Sequence, residues 1–216
     1  MIKSIFFDFD GVILDTVAIK GQVFGQLFNK WGDQVVKQII GYHNANGGMP
    51  RFEKIKNMYI EILKKQITDS QVNNLCNQYS RIVFNQVLSA NWIPGVKDFI
   101  NKYYKKYKFF IISATPQTEI KEIVRIKSIE PYFLEVLGTP ITKSEHIEYL
   151  INKYGIKRSE VFFIGDSIHD YKAAENCRIK FLGIVDESSN CFPKNISVYP
   201  DFYELNHHND MLDILR

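Results

Sequence analysis

The chain has 216 residues, of which 45% are hydrophobic and 24% charged, and its formal net charge is +3. This composition excludes a disordered or fibrous chain. So small a charge, with no block of Lys and Arg residues, gives no reason to expect nucleic acid as a partner. The length suits one large domain, or one core that carries an inserted smaller unit.

The cysteines and the apolar segments bear on where the protein works. The three cysteines, Cys76, Cys177 and Cys191, are far apart and form no Cys/His cluster with the spacing of a zinc site. The first residues contain no long apolar stretch of the kind found in signal peptides, and no run of about 18 apolar residues could span a bilayer. We therefore expect free thiols, a cytoplasmic location and no membrane partner.

Short apolar runs alternate with helical patterns along most of the chain. The predicted strands are Ile5–Phe9, Lys108–Ser113, Phe133–Leu137, Val161–Gly165 and Lys180–Val185. The predicted helices among them lie near Gly95–Lys106, Pro116–Ser128, Lys143–Tyr154 and Asp170–Asn176. Strands that are apolar throughout suit a sheet buried on both faces. The alternation therefore predicts an α/β fold, a Rossmann-like doubly wound parallel sheet with helices on both faces.

Residues 16–92 break this alternation, because their patterns are helical only. The predicted helices here are Val17–Trp31, Gln34–Ile40, Arg51–Lys65 and Ser70–Leu88, with a loop at Gly41–Pro50. We predict an α/β core formed by residues 1–15 and 93–216, and an inserted helical cap domain formed by residues 16–92. The hinges would lie near Leu14–Thr16 and near Asn91–Gly95, the second of which is marked by Pro94-Gly95.

Two carboxylates follow the first predicted strand directly. Asp8 and Asp10 are two residues apart, so the alternation of side chains along a strand lets both project to the same side. Carboxylates this close repel each other unless a cation or a shared proton compensates. The pair is typical of a metal site, or of a site that divides the roles of nucleophile and acid/base. The alternative is a pair of loop carboxylates that merely end a strand.

Three more polar clusters come after later predicted strands. They are Ser113-Ala114-Thr115, Lys143, and the segment from Gly165 through Asp166 to Asp170. Ligands of open α/β sheets bind beyond the carboxyl ends of the strands, so we expect these clusters to converge there. Each also has a structural interpretation as a loop turn or a helix cap.

Lys143 stands out because its local environment does not favour it. Thr142 and Glu145 form a predicted capping box, which places Lys143 in the first turn of a helix. The helix dipole disfavours a cation at that position. A locally unfavourable residue is expected at a functional site, although a solvated surface lysine is the alternative.

The order of these clusters resembles the haloacid dehalogenase superfamily. The resemblance rests on Asp8-x-Asp10-Gly11-Val12, then Ser113, then Lys143, then Gly165-Asp166-Ser167-x-x-Asp170. It is strongest to the phosphatase branch with a helical cap after the first strand, which contains phosphoglycolate phosphatases and β-phosphoglucomutases. The resemblance implies Mg²⁺-dependent hydrolysis of a small-molecule phosphate ester through an aspartyl-phosphate, by a monomer or weak dimer.

The resemblance also implies a role for each matched residue. Asp8 is the nucleophile and a metal ligand. Asp10 protonates the leaving oxygen, then activates water, and lends its backbone carbonyl to the metal. Asp166 completes the metal site and Asp170 orients a metal-bound water or another metal-site group. The same comparison gives Ser113 and the Ala114 amide contacts to the phosphoryl oxygens, and makes Lys143 the cation that balances Asp8 and the phosphoryl group.

Several other activities share this fold. A dehalogenase or a phosphonatase is disfavoured because neither needs an acid at the position of Asp10. A β-phosphoglucomutase stays open as the main alternative, although Ala18, Ile19 and Lys20 stand where mutases carry a His followed by a Lys. A regulatory protein without catalysis is disfavoured because the acids and Lys143 are all present.

Arg51 is the one candidate site residue in the predicted cap. It matches a mutase Arg that binds a distal phosphate, and Arg forms bidentate contacts with phosphate or carboxylate. The alternative is a surface Arg at the start of a helix. By family, the substrate would be a sugar phosphate or phosphoglycolate.

Overall fold

The centre of the molecule is a sheet of six parallel strands. A computed structural model describes residues 1–185 and 190–207. The strands are β1 (Ser4–Phe7), β2 (Lys108–Pro116), β3 (Glu135–Thr139), β4 (Val161–Gly165), β5 (Lys180–Ile184) and β6 (Val198–Tyr199). Their order is β3-β2-β1-β4-β5-β6, and all neighbours are parallel. The predicted doubly wound α/β sheet is confirmed. Strand β6 was not predicted, because two residues give no readable alternation.

Strand β1 shows why the sheet forms its own core. All four of its residues are buried, and successive side chains enter opposite faces. Phe7 packs edge-on against Phe109 on one face, with ring centroids 5.0 Å apart. Phe6 packs edge-on against Phe110 on the other face at 5.2 Å. Aromatic and β-branched residues in the central strands therefore supply both hydrophobic layers.

Helices cover both faces of the sheet. They are α5 (Val96–Tyr103), α6 (Gln117–Ile126), α7 (Lys143–Tyr154), α8 (Ile168–Asn176) and α9 (Phe202–His207). The predicted capping box of α7 is confirmed, since Thr142 accepts from the Glu145 N–H and Glu145 accepts from the Thr142 N–H. Helix α8 begins two residues earlier than predicted, because Ser167 caps it and Asp170 takes the third helical position.

Four further helices lie between β1 and α5. They are α1 (Val17–Leu27), α2 (Asp33–Ala45), α3 (Arg51–Asn57) and α4 (Asp69–Ser89), with a π-helical turn at Met58–Ile62. The predicted loop Gly41–Pro50 is wrong over its first five residues, since α2 continues through Ala45. Ile39 and His43 are one helical turn apart and both are buried, so packing overrides the low helix propensity of Gly41. Among the described residues, no helix combines the length and apolarity that crossing a bilayer requires.

The two segments that join these helices to the sheet lie side by side. The Asp15 N–H donates to the Asn91 carbonyl at 2.9 Å, and the Ile93 N–H donates to the Ile13 carbonyl at 3.1 Å. Leu14 and Trp92 form an antiparallel bridge between them. These crossings coincide with the predicted hinges, and the division into core and cap domains stays a prediction.

Candidate active site

Asp8 occupies the carboxyl end of the central strand. Its N–H donates to the Ile164 carbonyl of β4 at 2.8 Å, and its Oδ1 accepts from the Phe9 N–H at 2.7 Å. The residue is only 2% exposed. The next turn requires Gly11, whose φ is +76° and where a Cβ would lie 2.3 Å from Asp166 Oδ2. The backbone therefore holds Asp8 close to the loop after β4.

The carboxylates of Asp8, Asp166 and Asp170 form one cluster, with one oxygen of each within 4.8 Å of the others. Lys143 reaches into it from the start of α7. Its Nζ lies 2.9 Å from Asp8 Oδ2 and also donates to Asp170 Oδ1. Asp170 is held in turn by the Ser167 N–H, which donates to its Oδ2 at 3.1 Å. The starts of two helices thus deliver a cation and an acid to the end of β1.

Burial and mutual charge shift the pKa values of the side chains in this cluster. Burial, with the charge of Asp170 next, raises the pKa of Asp8 to about 7. Burial and the charge of Asp8 hold the pKa of Asp166 well above its usual range. Burial disfavours the Lys143 ammonium, but the charges of Asp170 and Asp8 outweigh it and raise the pKa of Lys143. One ammonium thus pairs with two of the three carboxylates, Asp8 and Asp170. An oxygen-rich, negatively charged donor set of this kind suits Mg²⁺.

Asp10 belongs to a separate hydrogen-bond network. Its Oδ1 accepts from Thr16 Oγ1 at 2.6 Å, and its Oδ2 accepts from Thr115 Oγ1 at 3.0 Å. Lys20 Nζ lies 2.6 Å from the same Oδ2 and donates to Thr115 Oγ1 at 2.9 Å. Burial raises the pKa of Asp10, but the Lys20 charge and these hydrogen bonds outweigh it and lower the pKa.

Two members of the Asp10 network, Thr16 and Lys20, were not predicted as site residues, whereas Thr115 belongs to a polar cluster that the sequence predicts at this edge of the sheet. Thr16 and Lys20 are four residues apart at the start of α1, and that spacing aligns them on one helix face. Thr115 follows Ser113 by two residues in β2, so both side chains point to the same side. The four-residue spacing of Thr16 and Lys20 could have drawn attention to that pair.

Ser113 and Ala114 close another side of the site. The Ser113 hydroxyl is buried and accepts from the Thr115 N–H at 3.1 Å. Both residues, together with Lys143, line a cavity of about 250 Å³. Thr115 does not cap α6, because β2 continues to Pro116 and that residue precedes the helix.

A smaller cavity of about 60 Å³ lies between the sheet edge and the helices inserted after β1. We call the sheet-edge side chains the floor, namely Asp8, Asp10, Asp166, Asp170 and Lys143. We call the helical side chains above them the roof, namely Lys20, His43, Arg51 and Lys54. A loop after α2 closes the roof onto α8, and a Cβ at Gly48, whose φ is +75°, would lie 2.6 Å from Ser167 Oγ.

Arg51 reaches the cavity, but its charge is matched within the protein. Its two terminal nitrogens donate to Glu119 of α6 at 2.8 and 3.0 Å, and it also donates to Ser80. Its guanidinium carbon lies 4.4 Å from the Tyr79 ring centroid. The predicted contact of Arg51 with substrate stays a prediction.

Lys54 and His43 form the remaining part of the roof. Lys54 Nζ lies 3.2 Å from His43 Nδ1, and both residues are buried. Burial, with the charge of Lys20 next, lowers the pKa of Lys54 to about 7. Burial and the charge of Lys54 lower the pKa of His43 to about 3. Neither residue was predicted, although Lys54 lies three residues after Arg51 and therefore on the same face of α3.

Known proteins resemble the chain over nearly its whole length. Residues 5–184 match the model of the haloacid dehalogenase-like hydrolase family. The chain is 24% identical over 192 residues to a phosphorylated carbohydrates phosphatase of Thermotoga maritima, covering 85% of each. It is 24% identical over 210 residues to a phosphoglycolate phosphatase of Vibrio parahaemolyticus, covering 93% of this chain and 91% of the relative.

A solved structure of a hydrolase from Pseudomonas syringae has the same fold. It aligns with a TM-score of 0.80 at 18% identity, covering 97% of this chain and 99% of that one. An identity this low shows a shared fold alone. Together with the family match, it confirms the predicted resemblance and the α/β architecture.

Proposed function

Because the chain belongs to the haloacid dehalogenase-like hydrolase family, we propose that it is a Mg²⁺-dependent phosphatase of a small phosphorylated metabolite. The family consists of hydrolases, which confirms the prediction of an enzyme. The observation that carries the proposal is the buried Asp8 beside Lys143, with Asp166 and Asp170 within reach. Two relatives, named for phosphoglycolate and for phosphorylated carbohydrates, support a sugar phosphate or a phosphoglycolate-like acid as substrate.

In the first half-reaction, an Asp8 carboxylate oxygen forms a bond to phosphorus as the ester P–O bond breaks. The Lys143 ammonium, 2.9 Å from Asp8, offsets the repulsion between this carboxylate and the phosphoryl oxygens. The Ser113 hydroxyl and the Ala114 amide donate to those oxygens. A Mg²⁺ ion held by Asp8, Asp166 and the Asp10 carbonyl would add positive charge at the same oxygens.

Asp10 moves the protons. The negative charge of a bound phosphate ester disfavours the ionised form of Asp10, so a proton taken up with the substrate passes to the leaving oxygen. In the second half-reaction the ionised carboxylate accepts a proton from the water that attacks phosphorus, and the bond to Asp8 breaks. The hydroxyls of Thr16 and Thr115 hold both Asp10 oxygens in place for these transfers.

We also propose that residues 16–92 act as a cap domain over the core formed by residues 1–15 and 93–216. Two ion pairs join these parts across the site, Lys20 with Asp10 and Arg51 with Glu119. A closed cap excludes water that would otherwise compete for the reactive phosphoryl group. The small phosphate ester is the proposed partner, while a cytoplasmic location and a monomer or weak dimer stay predictions.

A β-phosphoglucomutase is the second candidate, and the dimensions of the site disfavour it. The cavity that Asp10 lines has a volume of about 60 Å³. A mutase must turn over a sugar that carries two phosphoryl groups, and such a ligand exceeds this volume by more than any single phosphate ester does. Between the two proposed substrate types, a short phosphoglycolate-like acid fits this volume better than a sugar phosphate does.

The test combines metal removal with trapping of the intermediate. The chain is treated with EDTA and assayed on phosphoglycolate, a panel of sugar phosphates and p-nitrophenyl phosphate while Mg²⁺ is restored. We expect turnover to vanish on chelation and to return with Mg²⁺. Acid-quenched enzyme should carry one phosphoryl group on the peptide that contains Asp8, and hydroxylamine should remove it. Turnover without Mg²⁺ and without a phosphorylated Asp8 would contradict the proposal.

A further inference from the structure

The Lys54 side chain is buried and forms no ion pair within the described part of the protein. The residue is 3% exposed and lines the cavity above Asp8. Its Nζ contacts His43 Nδ1 at 3.2 Å and lies 5.8 Å from the Phe24 ring centroid. Within residues 1–185 and 190–207, no carboxylate lies at ion-pair distance from this nitrogen. A buried ammonium of this kind is costly unless it has a partner.

The neighbouring cations of the roof are paired. Lys20 Nζ lies 2.6 Å from Asp10, and Arg51 lies 2.8 Å from Glu119. Neither charge is therefore free for a ligand in this arrangement. Lys54 differs from both, although all three line the same cavity.

The chemistry of the site fixes which part of a substrate would face Lys54. The phosphorus must lie against Asp8, and the leaving oxygen must lie against Asp10, which lines the small cavity and not the larger one beside Ser113. The rest of the leaving group then extends toward the roof. At about 60 Å³ the cavity has room for roughly four to six waters, at about 10–15 Å³ for each. A leaving group of a few heavy atoms fits there.

We propose that Lys54 determines specificity by binding a carboxylate on the leaving group, so that the enzyme selects short phosphorylated acids over neutral phosphorylated alcohols. This inference rests on the proposed phosphatase function. A carboxylate is small enough for the remaining space. It also supplies the negatively charged partner that Lys54 lacks among the described residues. A charge-assisted hydrogen bond between the two would form with little competition from water.

His43 supports this role of Lys54 by its protonation state and its position. With its pKa at about 3, the imidazole is neutral at physiological pH, so Nδ1 can accept a hydrogen bond from the ammonium. An ammonium has three N–H donors, and this contact uses one of them. Two donors are left for the ligand, and the direction of the lysine side chain is held by His43.

The test compares two substrates that differ in one group. They are 2-phosphoglycolate and 2-hydroxyethyl phosphate, in which a hydroxymethyl group replaces the carboxylate. The wild-type enzyme should favour phosphoglycolate in kcat/KM by about 10–100-fold, the size of one lost charge-assisted contact. Lys54→Met should abolish most of that preference, and Lys54→Arg should keep part of it. Lys56→Met is the matched control, because Lys56 lies on the same helix but is exposed and pairs with Asp69.

Each outcome bears on the inference. Equal wild-type rates on both esters, or an equal loss on both in Lys54→Met, would overturn it. Absence of turnover on both esters and on p-nitrophenyl phosphate with Mg²⁺ would contradict the proposed function and the inference together. A measurement on wild-type enzyme avoids any folding defect of the variants: glycolate should inhibit hydrolysis of p-nitrophenyl phosphate at concentrations where ethylene glycol does not. Equal inhibition by the two would also overturn the inference.

Discussion

The charged side chains of the floor and of the roof are positioned and paired in different ways. On the floor, strand ends and helix starts hold the acids, and one ammonium, that of Lys143, serves Asp8 and Asp170 together. On the roof, the cations stand on two helices, Lys20 on α1 and both Arg51 and Lys54 on α3, and each has a different kind of partner. The floor therefore carries the residues of the proposed reaction, whereas the roof faces the leaving group of the proposed substrate. Changes on the floor should affect every substrate, and changes on the roof should affect some substrates or the stability of the closed form.

Removing the nucleophile should have the largest effect. Asp8→Asn should lower kcat on every phosphate ester by a factor on the order of 10⁴–10⁶, as loss of a nucleophile does in other enzymes. Its free energy of unfolding should not fall, because the substitution removes one of three crowded carboxylates. Steady-state kinetics and urea denaturation measure the two quantities. Asp15→Asn, an exposed neighbour, is the control and should behave like wild type. Wild-type turnover in Asp8→Asn would contradict the mechanism.

Replacing Asp10 should have the second-largest effect on activity. Asp10→Asn should lower kcat by about 10²–10⁴-fold with a smaller change in KM, because general acid–base groups act mainly on the transition state. The loss should be smaller on p-nitrophenyl phosphate, whose leaving group departs with little help from an acid. A change confined to KM would instead assign Asp10 to substrate binding.

The same contrast explains what could be predicted from the sequence. The floor follows from topology, since parallel strands bring their carboxyl ends to one edge. Asp8 and Lys143, far apart in the chain, could therefore be placed together before the structure was known. The roof depends on how helices pack across α1–α4, and periodicity does not determine that packing. His43 lay in a stretch predicted to be a loop, and its burial appears only once α2 is seen to continue through Ala45.

The Arg51–Glu119 pair allows a test of stability in the roof. Both side chains are 8% exposed, and removing one partner of a buried pair leaves an uncompensated charge. Glu119→Gln should lower the free energy of unfolding by about 3–5 kcal/mol. Adding Arg51→Met should cost less than the sum of the two single changes, which a double-mutant cycle in urea would measure.

An exposed pair on the same helix is the matched control for that cycle. Arg125 and Glu122 lie 2.7 Å apart on α6, but both are exposed. Replacing either should change the stability little, because solvent screens such a pair. If the substitutions change the free energy of unfolding equally in the two pairs, the buried Arg51–Glu119 pair adds no more stability than an exposed pair does. If Arg51→Met instead reduces kcat/KM for the natural substrate alone, Arg51 acts on the ligand as first predicted.

The smallest expected effect is the contribution of His43 to the loss of stability at acidic pH. Its pKa is about 3 in the folded protein, because burial and then the charge of Lys54 disfavour the imidazolium, against 6.5 as its ordinary value. Between these values the unfolded chain binds a proton that the folded chain does not, so stability must fall as pH drops below about 6.5. The slope is at most about 1.4 kcal/mol for each pH unit, or roughly 1–2 kcal/mol between pH 6.5 and 5. Lys20 also lowers this pKa, while Asp10 and the Val17 backbone raise it.

His43→Gln keeps an acceptor for Lys54 but cannot titrate, so the stability of this variant relative to wild type should improve steadily as pH falls. Urea denaturation at pH 7.5 and pH 5 measures that difference, in which the carboxylates common to both proteins cancel. A difference that stays constant across this range would mean that the His43 imidazole takes up its proton in the folded state as readily as in the unfolded one.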